Sequence, residues 1–154
     1  MYVIEAKSGN SFPVKVSAAT LGDLVEIDLL SSWSFKWTQE HEKQVVKQVM
    51  HRNGSEFVLA LMSYVIKRGF LEIILLEVVP SCRGRKKKFE RIAGNMLAFA
   101  CRASMRAGSD GFVALTPKTV LWQHYIDQYG ARPAAGNRLM FDADTAELLI
   151  SKYI

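Results

Sequence analysis

Cysteine is scarce in this chain. Cys82 and Cys101 are the only two, and neither belongs to a CxxC pair or a Cys/His cluster. No zinc site is readable, no metal is expected, and reduced thiols are the simplest account. No apolar run reaches the ~18 residues of a membrane helix, and the N-terminal stretch MYVIEAKSGNSF lacks the apolar core of a signal peptide. Together these absences point to a cytoplasmic chain with no membrane partner. No repeat, low-complexity tract or linker interrupts the 154 residues. Residues 1–154 are therefore expected to form a single domain with its own apolar core.

What is present is positive charge. The formal net charge is +5, and five of the six residues from Arg83 to Lys88 carry it, with Gly84 between them. Such an excess suits nucleic acid, an anionic membrane or a phosphorylated cofactor. The absence of an aromatic-interleaved ribonucleoprotein motif or a helix-turn-helix argues against nucleic acid. A solvated lysine-rich surface is the plainer alternative.

Along the chain, Phe12 to Ala18 alternates as a strand. Thr20 and Asp23 then frame a capping box for a short helix. Trp33, Phe35 and Trp37 stand at alternate positions in an irregular stretch, where they either line a pocket or tuck over a core edge. Three meandering strands follow: Val45 to Met50, Phe57 to Lys67 after an Asn53-Gly54 turn, and Leu71 to Val79 after Arg68-Gly69. The third is a nearly continuous apolar run and reads as the strand covered on both faces. Arg91 to Arg106 is an amphipathic helix, with Ile92, Met96, Phe99, Ala100 and Ala103 on one face and Arg91, Asn95, Arg102 and Arg106 on the other. Phe112 to Leu115 is a strand and Lys118 to Tyr129 a helix closed by Gly130. Leu139 to Asp142 is a last strand, and Asp144 starts a terminal helix. The fold class is α/β (α+β): a central mixed, mostly antiparallel twisted sheet with helices on both faces, its parallel crossover at the basic loop.

That loop joins a strand to a helix through glycine, a common way to build a phosphate site, because the first helical N–H groups lack intrahelical acceptors. The stretch VVPSCRGR, Val78 to Arg85, followed by RIAGNMLAFA, Gly108, and LWQHYIDQYGARP, resembles the GNAT superfamily of acetyl-CoA-dependent N-acetyltransferases. The likeness covers roughly Lys15 to Phe141. Here KKKFE separates the two halves of the phosphate motif, Arg91 stands at its first glycine, and Lys118 replaces the asparagine of the last helix. Tyr125 lies five residues before Gly130, where four is usual in the family.

The resemblance implies acetyl-CoA as cosubstrate, with its pyrophosphate near Arg83, Gly84, Arg85, Lys88 and the residues Arg91, Ile92, Ala93, Gly94 and Asn95, and with Lys118 nearby. Its pantetheine arm would pair with the backbone of Val78 and Val79, the Val79 N–H polarising the thioester carbonyl. Glu77 would act as base and Tyr125 as the acid that protonates the thiolate, while Trp33, Phe35 and Trp37 shape the acceptor pocket. The acceptor is a small-molecule or protein amine, and members of the superfamily often dimerise. Glu77 reads equally as an ion-paired carboxylate and Tyr125 as a packing tyrosine, while His41 and His124 read as surface residues. Cys82 has no assignable catalytic partner. The alternative function is a GNAT-like domain that binds CoA or a protein partner without turnover.

Overall fold

The computed structural model describes residues 1–154. Its elements are β1 (Tyr2–Glu5), β2 (Ser11–Ala18), α1 (Leu21–Leu29), β3 (Val46–Arg52), β4 (Val58–Lys67), β5 (Phe70–Val78), β6 (Phe89–Glu90), α2 (Ile92–Arg106), β7 (Val113–Leu115), α3 (Trp122–Tyr129), β8 (Arg132–Pro133), β9 (Leu139–Phe141) and α4 (Ala143–Tyr153). Short 3-10 turns occupy Trp37–Glu40, Pro80–Cys82 and Thr119–Leu121. The nine strands join in the order β6-β1-β2-β3-β4-β5-β7-β9-β8. β5 and β7 pair in parallel, whereas β1 with β2, β2 with β3, and β7 with β9 are antiparallel. This is the mixed, mostly antiparallel sheet expected from the sequence.

Contacts divide the chain into two compact units. The first holds Met1–Ser63 and Leu75–Met96, the second Tyr64–Ile74 and Leu97–Ile154. β4, β5 and α2 contribute residues to both.

In the first unit, a turn at Gly9 (φ 76°) folds β1 onto β2. β2 continues onto β3 in register from Val14↔Arg52 to Ala18↔Gln48. The capping box at α1 forms as the sequence predicts: Asp23 N–H donates to Thr20 Oγ1 at 3.1 Å, and Thr20 N–H to Asp23 Oδ2 at 2.8 Å. The helix buries Leu24 and Ile27 in a core that includes Val3, Trp37, Met50, Leu59 and Leu61.

In the second unit, Leu71–Ile73 pair with Val113–Leu115, which pair in turn with Leu139–Phe141. Gly130 (φ 75°) closes α3 in the left-handed conformation. At Gly111 (φ 85°) a Cβ would sit 2.6 Å from the Cβ of Ala146, so only glycine fits this approach of backbone to α4.

Several expectations are corrected. The strand buried along its length is β4, from Val58 through Tyr64, whereas β5 leaves Ile74 exposed. A continuous apolar run is ambiguous about which of two neighbouring strands is the more covered. β1, β6 and β8 are additional strands of two to four residues, too short to show an alternating pattern. Asp142, not Asp144, caps α4, accepting from Thr145 N–H at 2.9 Å. Asn95 lies on the buried side of α2, while Phe99 and Ala103 are half-buried. No helix is long and apolar enough to cross a membrane.

Candidate functional site

The chemistry-bearing residues of the first unit gather at the end of β5 and the loop that follows it. Glu77 is 5% exposed and accepts four hydrogen bonds. The backbone N–H groups of Ser34 and Phe35 donate at 2.5 and 3.1 Å, Trp37 Nε1–H at 2.9 Å, and the Arg83 guanidinium at 2.5 Å. Burial alone would raise this carboxyl's pKa, but the donors from Ser34, Trp37, Phe35 and Arg83 outweigh it and hold the group below the ordinary carboxylate value. The result is a stable anion around which the 34–37 segment is folded.

Asp28 fixes the other side of that segment. From the last turn of α1 it accepts Trp37 N–H at 2.7 Å and Thr38 N–H at 3.1 Å. Trp37 is fully buried, Trp33 is 8% exposed, and Phe35 meets Trp37 edge-on at 6.4 Å. Two of the three aromatics predicted to shape a pocket are therefore core side chains, and Trp37 spends its indole N–H on Glu77.

Arg83 is committed as well. Its Nε donates to the Val78 carbonyl at 2.6 Å and a terminal nitrogen to Ser34 Oγ at 3.2 Å, alongside its ion pair with Glu77. The Val79 N–H, predicted to polarise a thioester carbonyl, donates to the Leu59 carbonyl at 2.9 Å. An amide has a single proton, and here strand pairing holds it.

Beyond Arg83 the loop turns at Gly84 (φ 71°), and Arg85, Lys86 and Lys87 are exposed. The KKKFE insertion has a structural purpose. Lys88 N–H bonds the Ser81 carbonyl at 3.0 Å, and the Lys88 carbonyl accepts Ala6 N–H at 2.9 Å. Phe89 is 3% exposed and packs edge-on against Phe12 at 5.9 Å. The Arg52 guanidinium lies 4.2 Å from the Phe12 ring centroid and 5.4 Å from that of Phe89. The insertion is thus pinned to β1 as the edge strand β6.

Arg91 follows at φ 77°, in the left-handed region that glycine enters freely and other residues enter at a cost of about 1–2 kcal/mol. This is the position where the resembling motif has its first glycine. The Arg91 side chain lies over Tyr2, its Cζ 4.2 Å from the ring centroid. The Arg91 carbonyl accepts Asn95 N–H at 2.9 Å and so starts α2. Asn95 is fully buried and donates to the Tyr2 carbonyl at 2.8 Å. The backbone N–H groups of Ile92, Ala93 and Gly94 have no acceptor.

Lys118 and Tyr125 belong to the second unit. Lys118 is exposed, just before the Thr119–Leu121 turn. Tyr125 is 8% exposed and packs against Tyr129 at 5.9 Å and His124 at 6.2 Å. Burial pushes its phenol up to about 12, so it stays protonated at physiological pH. His41 and His124 are exposed, and both cysteines are buried, with burial pushing the Cys101 thiol up to about 12. No group of three or more His, Cys, Asp or Glu side chains is placed to hold a metal.

The ion pair read as the alternative for Glu77 forms with Arg83, whereas its donors in the 34–37 segment were missed, although both halves were visible: a charge interrupting an apolar strand, and aromatics at alternate positions. Asp28 and Arg52, which carry no local motif, were missed as well.

No family model and no curated protein matches the chain by sequence. Solved structures do match in fold. A variant of the AtaT toxin bound to the C-terminus of the antitoxin AtaR and acetyl-CoA aligns with TM-score 0.57 at 16% identity, over 90% of this chain and 98% of that one. PaiA N-acetyltransferase from Thermoplasma acidophilum in complex with coenzyme A gives 0.56 at 11% identity, over 83% and 96%. A chimera of the spermidine N-acetyltransferase SpeG from Vibrio cholerae with hSSAT gives 0.60 at 12%, over 87% and 98%. With its nine-stranded mixed sheet, its four helices and these neighbours, the chain has the fold of the GNAT acetyltransferases.

Proposed function

We propose that the chain binds acetyl-CoA and transfers its acetyl group to an amine of a small molecule or protein. The observation that carries this reading is the left-handed turn at Arg91. It ends a basic loop and opens a helix whose first three amides, of Ile92, Ala93 and Gly94, have no acceptor. Unpartnered amides at the positive end of a helix dipole suit a pyrophosphate. Arg85, Lys86 and Lys87, exposed and in no ion pair, supply positive charge in the loop that leads into it. The neighbours crystallised with acetyl-CoA or coenzyme A share this fold.

Acetyl-CoA would supply an activated acyl thioester. Within this chain Glu77 acts as a positioning residue: four donors occupy its oxygens and hold its pKa below the ordinary carboxylate value, which leaves it a weak base for an acceptor amine. Arg83 serves the same clamp. Polarising a thioester carbonyl at the end of β5 requires the Val79–Leu59 hydrogen bond to open. Tyr125, protonated throughout the physiological range, is the proposed proton source for the departing thiolate, and Lys118 a further cation for the cofactor.

A second reading, CoA binding without turnover, is favoured by the saturation of Glu77 and of the Val79 N–H. One experiment separates the two: calorimetric titration with acetyl-CoA, followed by thiol release over a panel of amines. Binding with release that Tyr125→Phe abolishes supports transfer. Binding without release supports the second reading, and no binding at millimolar ligand sinks both.

A further inference from the structure

The second unit carries an open groove of about 340 Å³, lined by Tyr64 and Ile66 of β4 and by Phe99, Arg102, Ala103, Arg106 and Ala107 at the end of α2. The helical members recur at three- and four-residue spacing, which sets them on one face. Ala103 and Ala107 are its small lining residues, and Phe99, Tyr64 and a half-exposed Ile66 its large apolar ones. The two arginines stand one helical turn apart, about 5–6 Å between Cβ atoms, and the side chain of neither forms an ion pair or a hydrogen bond. The Nε–H of Arg102 is shielded from solvent and has no acceptor. Arg102 as a whole is half-buried, and its Nε–H is open to an acceptor from outside the chain. Glu72, an acid of β5 in the same unit, is taken by Lys67 and Arg138.

From this juxtaposition we infer that the groove docks an acidic segment of a partner protein: an apolar side chain seated on Ala103 and Ala107 against Phe99 and Ile66, and flanking carboxylates on Arg102 and Arg106. Guanidinium groups match carboxylates in bidentate geometry, so one Asp or Glu can satisfy Arg102 while a second meets Arg106. Arg106 and Ala107 are exposed at the end of the helix, which leaves room for a polypeptide to continue beyond them. This inference does not depend on acetyl-CoA binding, because it uses only residues of the β4 end and the second half of α2.

The test is selection from a displayed random peptide library against the folded chain, with counter-selection on the Arg102→Glu, Arg106→Glu double variant. The expected winners combine Asp or Glu with Leu, Met or Phe. A synthesised winner should lose about tenfold or more in affinity against the double variant and against Ala107→Trp, which fills the exposed end of the groove. The inference is overturned by any of several results: no enrichment, winners without acids, acid-only peptides that bind as well, or affinity indifferent to these variants. It is also overturned by self-association that Ala107→Trp abolishes, which would make the occupant a second copy. Octanoate binding in the absence of any peptide binder would make the site one for small carboxylates.

Discussion

Arg83 holds Glu77 at 2.5 Å while its Nε holds the Val78 carbonyl at 2.6 Å. One guanidinium therefore ties the basic loop both to the buried carboxylate and to the backbone of β5. Glu77→Gln keeps the shape but replaces an anion by an amide that presents donors to donors. Equilibrium denaturation should show a loss of about 2–3 kcal/mol, given the half-exposed arginine. Arg83→Met removes one donor of four and should cost about 1 kcal/mol. Equal effects from both would show that the carboxylate depends on its ion pair rather than on the 34–37 segment.

The same carboxylate sets an acid limit. Glu77, Asp28 and Glu72 all have folded pKa values below their ordinary ones, because hydrogen-bond donors outweigh the opposing effect of burial. A depressed carboxyl contributes stability that is complete above its unfolded pKa and is lost as pH falls through the folded value. Melting temperature should therefore hold steady above about pH 4.5 and fall below it. In Glu77→Gln the fall should be shallower. An unchanged slope would remove Glu77 from the account.

Arg91 combines a costly backbone conformation with a favourable stack on Tyr2. Arg91→Gly relieves the first and loses the second, so its stability should stay within about 1 kcal/mol of the parent. Arg91→Ala keeps the strain and loses the stack, and should cost about 1–2 kcal/mol. Thermal melts of the pair decide this. Alanine matching glycine would mean that the left-handed turn is not maintained.

The expected secondary structure was readable where a local pattern is long or where a cap has its own chemistry. Thr20 and Asp23 announce α1, Gly130 announces the end of α3, and the basic loop announces the crossover from β5 to β7. β6 is two residues whose strand identity comes from pairing with β1, more than eighty positions earlier in the chain. The buried status of Asn95 comes from a bond to the Tyr2 carbonyl, which no helical wheel contains. At the candidate site the residue types were visible, but their commitments were not. Glu77 stands out as a charge in an apolar run, yet its four donors come from the 34–37 segment and from Arg83, and only the fold brings them to one point.

Cofactor affinity should follow the free cations rather than the committed one. The Arg85→Glu, Lys86→Glu double variant should weaken acetyl-CoA binding by about tenfold or more at low salt, with the difference shrinking as salt rises. Arg83→Lys should change binding less than that and stability more. Calorimetric titration at two salt concentrations measures the first, and denaturant melts the second. An unaffected double variant would move the pyrophosphate away from this loop.

The Glu77 clamp also bears on how the chain reaches its native state. Its bonds to Ser34, Phe35 and Trp37 span 43, 42 and 40 positions, so a long intervening loop must close before any of them can form. Contacts of that reach tend to be absent from a transition state dominated by local hairpins and helices. The aromatic segment is then a late arrival that locks a sheet already assembled. Weakening Glu77 would shorten the lifetime of the folded chain and leave the speed of folding nearly untouched.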